Sequence, residues 1–161
     1  MTASPVRATS ILLRDYSDIN VRDGRALIEE KGLQDTARFV QADAFDRASL
    51  AGVTPRPTLA VISGLYELFP DNDMVRRSLA GVGDAVEDGG YLVYTGQPWH
   101  PQLEMIARAL TSHRQGQAWV MRRRTQAEMD QLVEEAGFRK LTQRVDEWGI
   151  FTVSLAVRAG R

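Results

Sequence analysis

Short apolar runs and amphipathic stretches alternate along this chain. Residues 9–14 read as a strand. The stretch Ile11-Leu12-Leu13-Arg14-Asp15-Tyr16-Ser17-Asp18 is a short buried strand that ends in an acid and runs straight into a helix. That helix is capped by Ser17 or Asp18 and runs to about Lys31, with Gly32 at the stop position. A second strand at 38–42 ends in Asp43-Ala44-Phe45, and 46–50 has the length of one helical turn. Two prolines, Pro55 and Pro57, make 53–57 a loop. Leu59-Ala60-Val61-Ile62-Ser63 is a continuous apolar run, the pattern of a strand covered on both faces. It opens into Gly64-Leu65-Tyr66-Glu67-Leu68-Phe69-Pro70.

Asp71 caps a helix whose Met74, Val75, Leu79, Val82 and Val86 share one broad apolar face; Gly81 and Gly83 weaken it. A turn at Glu87-Asp88-Gly89-Gly90 leads to a fourth strand at 91–95, then a loop, Gly96-Gln97-Pro98-Trp99-His100-Pro101. Leu103, Ile106, Ala107 and Leu110 mark another amphipathic helix, and 119–124 is ambiguous. Thr125-Gln126-Ala127-Glu128 is a capping box opening a helix that stops at Gly137. Strands at 138–146 and 150–158 flank the hairpin turn Glu147-Trp148-Gly149. Alternating strands and helices call for a parallel sheet with helices on both faces, and the terminal hairpin adds antiparallel strands. The expected fold class is therefore α/β.

Composition narrows the function classes. The 161 residues fit a single domain, with no repeat or linker. A net charge of -1 gives no general reason for a nucleic-acid or membrane partner. The absence of cysteine removes disulfides, thiolate nucleophiles and Cys-based zinc sites. With His100 and His113 the only histidines, no metal site is expected. No apolar run approaches the ~18 residues of a membrane span, and residues 1–10 lack the apolar core of a signal peptide. A cytoplasmic location is the default.

In parallel α/β sheets ligands sit outside the carboxyl ends of the strands. Asp15 at such an end can accept from the two hydroxyls of a ribose, or merely start a turn or cap the next helix. Asp43 can accept from an exocyclic amine or simply form a turn. Tyr16 and Phe45 suit the face of a base or a place at the core's rim.

From about Ile11 to Val157 the chain resembles the later part of a class I methyltransferase that uses S-adenosylmethionine. The likeness is carried by Leu13-Arg14-Asp15-Tyr16-Ser17, Val40-Gln41-Ala42-Asp43-Ala44, the run from Val61 to Asp71, Asp88-Gly89-Gly90-Tyr91-Leu92-Val93, and the stretch from Arg123 to Phe138. A further likeness is to bacterial methyltransferase domains that stand beside α/β-hydrolase domains. The family fold is Rossmann-like, with seven strands in the order 3-2-1-4-5-7-6. The resemblance implies S-adenosylmethionine as cofactor. It places Asp15 and Tyr16 at the ribose, Asp43, Ala44 and Phe45 at the adenine, and Ser63 and Gly64 beside the methionine part.

One departure stands out. The family's first strand and glycine-rich cofactor turn are not found: residues 1–10 contain no glycine. Domain 1–161 thus reads as N-terminally truncated. Because buried unpaired backbone groups cost ~1–3 kcal/mol each, an open gap at that strand's place is expected to be intolerable. Three resolutions follow. The chain is a fragment of a longer protein; or the sheet closes by pairing 11–15 with 59–63; or another segment or a second copy completes it.

Catalytic candidates beyond the strand ends are Glu67 and His100, with Tyr66 and Trp99 lining a substrate pocket. Arg122-Arg123-Arg124 could bind an anion but suits a solvated edge better, and His113 receives no role. The expected function is methyl transfer to a small molecule, by a chain that binds cofactor weakly or not at all by itself. The alternative is a non-catalytic Rossmann-like module for assembly or regulation. An NAD-type oxidoreductase fits poorly, since it too needs the glycine-rich turn.

Overall fold

The computed structural model describes residues 8–109 and 122–160. In order, its elements are β1 (Ile11–Asp15), α1 (Asp18–Glu30), β2 (Ala37–Gln41), α2 (Arg47–Ala51), β3 (Leu59–Ile62), a 3-10 turn at Tyr66–Leu68, α3 (Asn72–Ala85), β4 (Tyr91–Gly96), α4 (Leu103–Ala109), α5 (Gln126–Glu135), β5 (Phe138–Val145) and β6 (Thr152–Arg158). Leu110, His113 and the first residues of the ambiguous stretch lie outside the described residues.

Side-chain oxygens set the helix starts. Ser17 accepts from the Asn20 N–H, Asp46 from Ser49, Asp71 from Asp73 and Thr125 from Glu128. The capping box at α5 is only half made. The Glu128 carboxylate is drawn away to Asn72 Nδ2 at 2.8 Å and Arg122 at 2.5 Å, so it does not return to the Thr125 N–H. A charged partner outcompetes the reciprocal backbone bond.

Two sheets form. β1 and β2 are parallel, with Ile11 opposite Ala37 and Asp15 opposite Gln41. The second sheet has the order β3-β4-β6-β5, in which β3 and β4 are parallel and β6 runs antiparallel between β4 and β5. Read across both sheets, β2-β1 and β3-β4-β6-β5 is the expected family order with the first strand's place left open. The sheet has not closed: β1 and β3 are not paired with each other. Among the described residues the gap judged intolerable is present, and Leu13 and Val61 beside it are exposed.

α1 covers one face of the β1–β2 pair, where Gly24 lets the Phe39 ring press against the helix backbone. α2 lies on the other face, against Arg14, which donates to Ser49 O at 3.1 Å and Ser49 Oγ at 2.7 Å. α3 and α5 carry the main core on that same side, with Val75, Leu79, Leu132 and Val133 against Leu92, Tyr94 and Ala156. The glycines of α3 have a packing reason. A Cβ at Gly81 would meet the Leu50 Cβ at 2.8 Å, and one at Gly83 would collide with the Ala136 carbonyl oxygen. β3 departs from expectation: Leu59 is 50% and Val61 61% exposed, because no described helix covers the α1 side of the second sheet. No helix among the described residues is long and apolar enough to cross a membrane.

Candidate functional site

The first half of the site is the carboxyl edge of β1 and β2. Their register brings the ends together: the Ala42 N–H donates to Asp15 O at 2.9 Å, so Asp15 and Asp43 leave neighbouring strands side by side. Both acids also shape their own turns. Asp15 accepts from the Ser17 N–H at 2.8 Å and, with its other oxygen, from Asn20 Nδ2 at 3.1 Å. Asp43 accepts from the Phe45 N–H at 2.8 Å. A carboxylate has about four lone-pair positions, so each acid retains acceptor capacity. The backbone N–H of Phe45 is engaged by Asp43, which leaves that of Ala44 as the donor for a ring nitrogen of a base.

The aromatic candidates divide. Tyr16 is 77% exposed beside Asp15, with a ring face on offer. Phe45 turns inward, edge-on to Phe69 at 4.5 Å and tilted against Tyr66 at 6.4 Å. Its ring belongs to the joint between the two sheets.

The second half is the carboxyl edge of β3 and β4. Ser63 and Gly64 are exposed there, and Gly64 turns the chain with φ 67°. Its N–H donates to Thr95 Oγ1 on the neighbouring strand at 2.9 Å. Tyr66 is 2% exposed, its hydroxyl donates to Ser78 Oγ at 2.8 Å, and burial raises its pKa. It is mainly a core residue, and as the expected pocket wall it shows only a small edge to the cleft beside Glu67. An aromatic in a glycine-led loop has the same sequence signature whether it points in or out.

Glu67 is 6% exposed, and neither carboxylate oxygen has a hydrogen-bond partner among the described residues. It lines a shallow cleft with Thr95, Gln97 and Arg124. Burial pushes its carboxyl above the usual glutamate range, opposed in part by the guanidiniums of Arg123 and Arg124. Trp99 is exposed in the loop after β4. His100 is half-buried, and its Nδ1 accepts from the Gln102 N–H at 3.1 Å, which places any ring proton on Nε2.

Arg124 is the residue that sequence reasoning misjudged. It is no solvated cation: it is buried, and its guanidinium donates to Tyr66 O at 2.6 Å, Phe69 O at 2.8 Å and Asn72 Oδ1 at 2.7 Å. It clamps the loop that holds Glu67. Two arginines before it hid the signal, which would have been a loop whose single 3-10 turn leaves carbonyls with acceptor capacity to spare. Among the described residues no group of three His, Asp or Glu is arranged for a metal.

The candidate residues thus form two clusters, Asp15, Tyr16, Asp43 and Ala44 on one sheet and Ser63, Gly64 and Glu67 on the other, with the open strand position between them.

Comparison with known proteins follows this geometry. Among solved structures, a methyltransferase of Methanosarcina mazei described as S-adenosylmethionine-dependent superposes with a TM-score of 0.72 at 19% identity, over 94% of this chain and 83% of that one. A possible exported protein of Bordetella parapertussis gives 0.75 at 21%, over 94% and 54%. The magnesium protoporphyrin IX methyltransferase of Synechocystis, solved with bound S-adenosylhomocysteine, gives 0.68 at 13%, over 93% and 64%. At these identities the likeness is one of fold. In sequence, the chain is 61% identical over 156 residues to the protein YnbC of Escherichia coli K12. The match takes in 97% of this chain but only 27% of that relative's length. A family model described as "Putative methyltransferase" matches residues 1–158. The chain belongs to that methyltransferase family, and its fold is the Rossmann-like fold of the S-adenosylmethionine-dependent class I enzymes.

Proposed function

We propose that this chain carries most of a methyltransferase domain that uses S-adenosylmethionine to methylate a small molecule. The observation that carries the reading is the pairing of Asp15 and Asp43 at adjacent strand ends, with the Tyr16 ring exposed beside them. Asp15 would accept from the ribose hydroxyls, Asp43 from the adenine amine, and Tyr16 would lie against the base. The fit is partial. Ser63 and Gly64 would flank the methionine end, but no glycine-rich cradle for it stands among the described residues.

When bound, the cofactor supplies an activated methyl group. The protein's part is to hold the acceptor in line and keep water out. Glu67 would take a proton where the acceptor must lose one, since a raised carboxyl pKa suits a base working near neutrality. His100 is the second candidate; its Nε2 carries the ring proton while Nδ1 accepts from Gln102, so it would act as base at Nδ1 after that bond is released, and exposed Trp99 would form the outer wall for the acceptor. A cytoplasmic location belongs to the same proposal.

A second reading, a non-catalytic module kept for assembly or regulation, draws on the turns that Asp15 and Asp43 already make and on the missing cradle. Calorimetric titration with S-adenosylhomocysteine separates the two. Saturable binding that weakens at least tenfold in Asp15→Asn supports the cofactor site. A folded chain that binds nothing supports the second reading for these 161 residues alone.

A further inference from the structure

Glu67 is a buried acid that its basic neighbours pass over. Neither of its carboxylate oxygens accepts a hydrogen bond among the described residues. Three arginines stand nearby, and each is aimed at another acceptor. Arg122 donates to Pro70 O at 3.3 Å and to Glu128 at 2.5 Å. Arg123 donates to Gln97 Oε1. Arg124 donates to Tyr66 O, Phe69 O and Asn72 Oδ1. A guanidinium and a carboxylate ordinarily make a short, two-pronged pair. Here no such pair forms, although Arg123 and Arg124 act on Glu67 through their charge. Burial instead holds the carboxyl above the usual glutamate range, so the empty site avoids an unpaired charge by keeping its proton.

The cleft that Glu67 lines is small and rich in acceptors. It holds about 20 Å³, room for one water-sized group. Gln126 lines it too, and its amide is oriented from behind. Nε2 donates to Asp130 Oδ1 at 2.7 Å, which leaves Oε1 for the cleft. Asp130 is fixed in turn by the Tyr94 hydroxyl at 2.8 Å and by Lys140. Thr95 joins the cleft to the rest of the site. It lines the cleft, and its Oγ1 accepts from the Gly64 N–H at 2.9 Å. The cleft therefore sits beside the turn assigned to the methionine end of the cofactor.

We propose that the methyl acceptor is a primary amine, seated as its ammonium between Glu67 and Gln126 with its carbon chain running out past Trp99. The chemistry of this inference rests on the methyl-transfer reading; the seat itself does not. An ionised carboxylate in a dry site costs several kcal/mol, which a cation offsets and a lone water does not. An alcohol would satisfy the oxygens and leave the charge unpaired. A carboxylate or phosphate head would meet Glu67 as a like charge. A quaternary ammonium is too bulky for a water-sized space, and Tyr66 shows the cleft too little ring to cage one. In the reaction Glu67 takes one ammonium proton. The lone pair left on nitrogen forms the bond to the sulfonium methyl carbon as the carbon–sulfur bond breaks, and the electrons of that bond stay on sulfur. The nitrogen ends as a secondary ammonium, and Glu67 passes its proton to water. The added methyl no longer fits the space, so the product should leave after one transfer.

Carbon NMR of the Glu67 carboxyl tests the seat, on the 161-residue chain without cofactor and with Glu67→Gln to assign the signal. The probes are n-butylamine, an ammonium like that of lysine throughout about pH 4–8, and 1-butanol, which has the same tail and no charge. n-Butylamine should lower the proton affinity of Glu67 by about tenfold or more, and 1-butanol should leave it unchanged. By linkage the amine should bind tighter by that same factor once Glu67 is ionised. The amine should also move the backbone amide signals of Thr95 and Gln126 in the parent chain and not in Glu67→Gln. Three results would overturn the proposal. The Glu67 titration could ignore the amine, leaving a water as the occupant. It could respond as strongly to 1-butanol, making the acceptor a hydroxyl. Or Thr95 and Gln126 could move alike in Glu67→Gln, placing the amine elsewhere. These failures involve no cofactor and so differ from a failed cofactor titration. If the amine seats and S-adenosylhomocysteine does not bind, the methyl-transfer reading falls, and the amine's role as acceptor falls with it.

Discussion

Arg124 offers the sharpest test of how the second half of the site is held. Its guanidinium satisfies two backbone carbonyls, Tyr66 O and Phe69 O, and one side-chain oxygen, Asn72 Oδ1, all within 2.8 Å. Hydrogen bonds to a charged group contribute about 1.5–3 kcal/mol each, so three would amount to about 5–9 kcal/mol if they added. They do not add. Burying the cation opposes them, as the lowering of its pKa by burial records, and truncation removes that cost along with the bonds. What remains in Arg124→Ala is the Tyr66 and Phe69 carbonyls without their charged donor, with the Phe69 N–H still reaching Tyr66 O at 3.3 Å, at up to about 1–3 kcal/mol each and less where water enters. A loss near 3 kcal/mol is expected, or about 6–12 °C in Tm for a chain of this size. Arg124→Lys should recover less than half, because a single ammonium cannot reach three acceptors spread by a planar fork. Arg122→Ala, at a half-exposed ion pair with Glu128, is the control and should cost less than about 1 kcal/mol. Urea unfolding of the three variants checks the order. If Arg124→Ala falls within about 0.5 kcal/mol of the parent, the range of ordinary surface changes, the clamp is not structural and this reasoning fails.

Two further outcomes follow from the same geometry. Gly83→Ala sets two effects against each other: helix propensity favours alanine by about 1 kcal/mol, while the new Cβ collides with the Ala136 backbone carbonyl. Backbone cannot step aside as a side-chain tip can, so the variant should be less stable by about 1–3 kcal/mol, and a rise in Tm would refute the packing. Glu67 has a folded pKa above its unfolded value of about 4.5, so the native state holds its proton longer and stability falls as pH rises from there through the folded pKa. Glu67→Gln should flatten that part of the profile and leave the variant the more stable at neutral pH; a parallel pair of urea midpoint curves from pH 4 to 8 would contradict it.

The legible parts of this molecule are the ones governed by local chemistry. Ser17, Asp71 and Thr125 announced their helices because a short side-chain oxygen before an apolar period has few other uses. The parallel order could be read from the alternation of elements, and Asp15 and Asp43 were visible as acids at strand ends. Three things were not legible, each because a distant partner decides it. Glu128 pairs with Arg122 and Asn72, not with its cap. Gly81 and Gly83 looked like weak points in a helix and turn out to be where α3 touches α2 and the end of α5. The bare face of β3 was hidden by its own composition: Leu59 to Ile62 has the pattern of a doubly covered strand, while among the described residues only one face has a cover.

That mismatch bears on the site itself. The nucleoside candidates Asp15, Tyr16 and Asp43 ride on the two-stranded sheet, and Ser63, Gly64 and Glu67 ride on the four-stranded one. A ligand touching both clusters must span the open position, so its affinity depends on how firmly the two sheets are held in place. The tie is α2, only five residues long, with its Arg47–Asp84 bridge, its contact at Gly81 and the nearby Phe45–Phe69 pair. Such a joint fixes spacing better than it fixes tilt. A strand paired on both sides would fix both, with backbone bonds to each sheet. Completing the sheet and completing the ligand site are then one event. A ligand gripping both clusters should in turn slow exchange at β1 and β3, because whatever binds the assembled form better must favour assembly by the same factor.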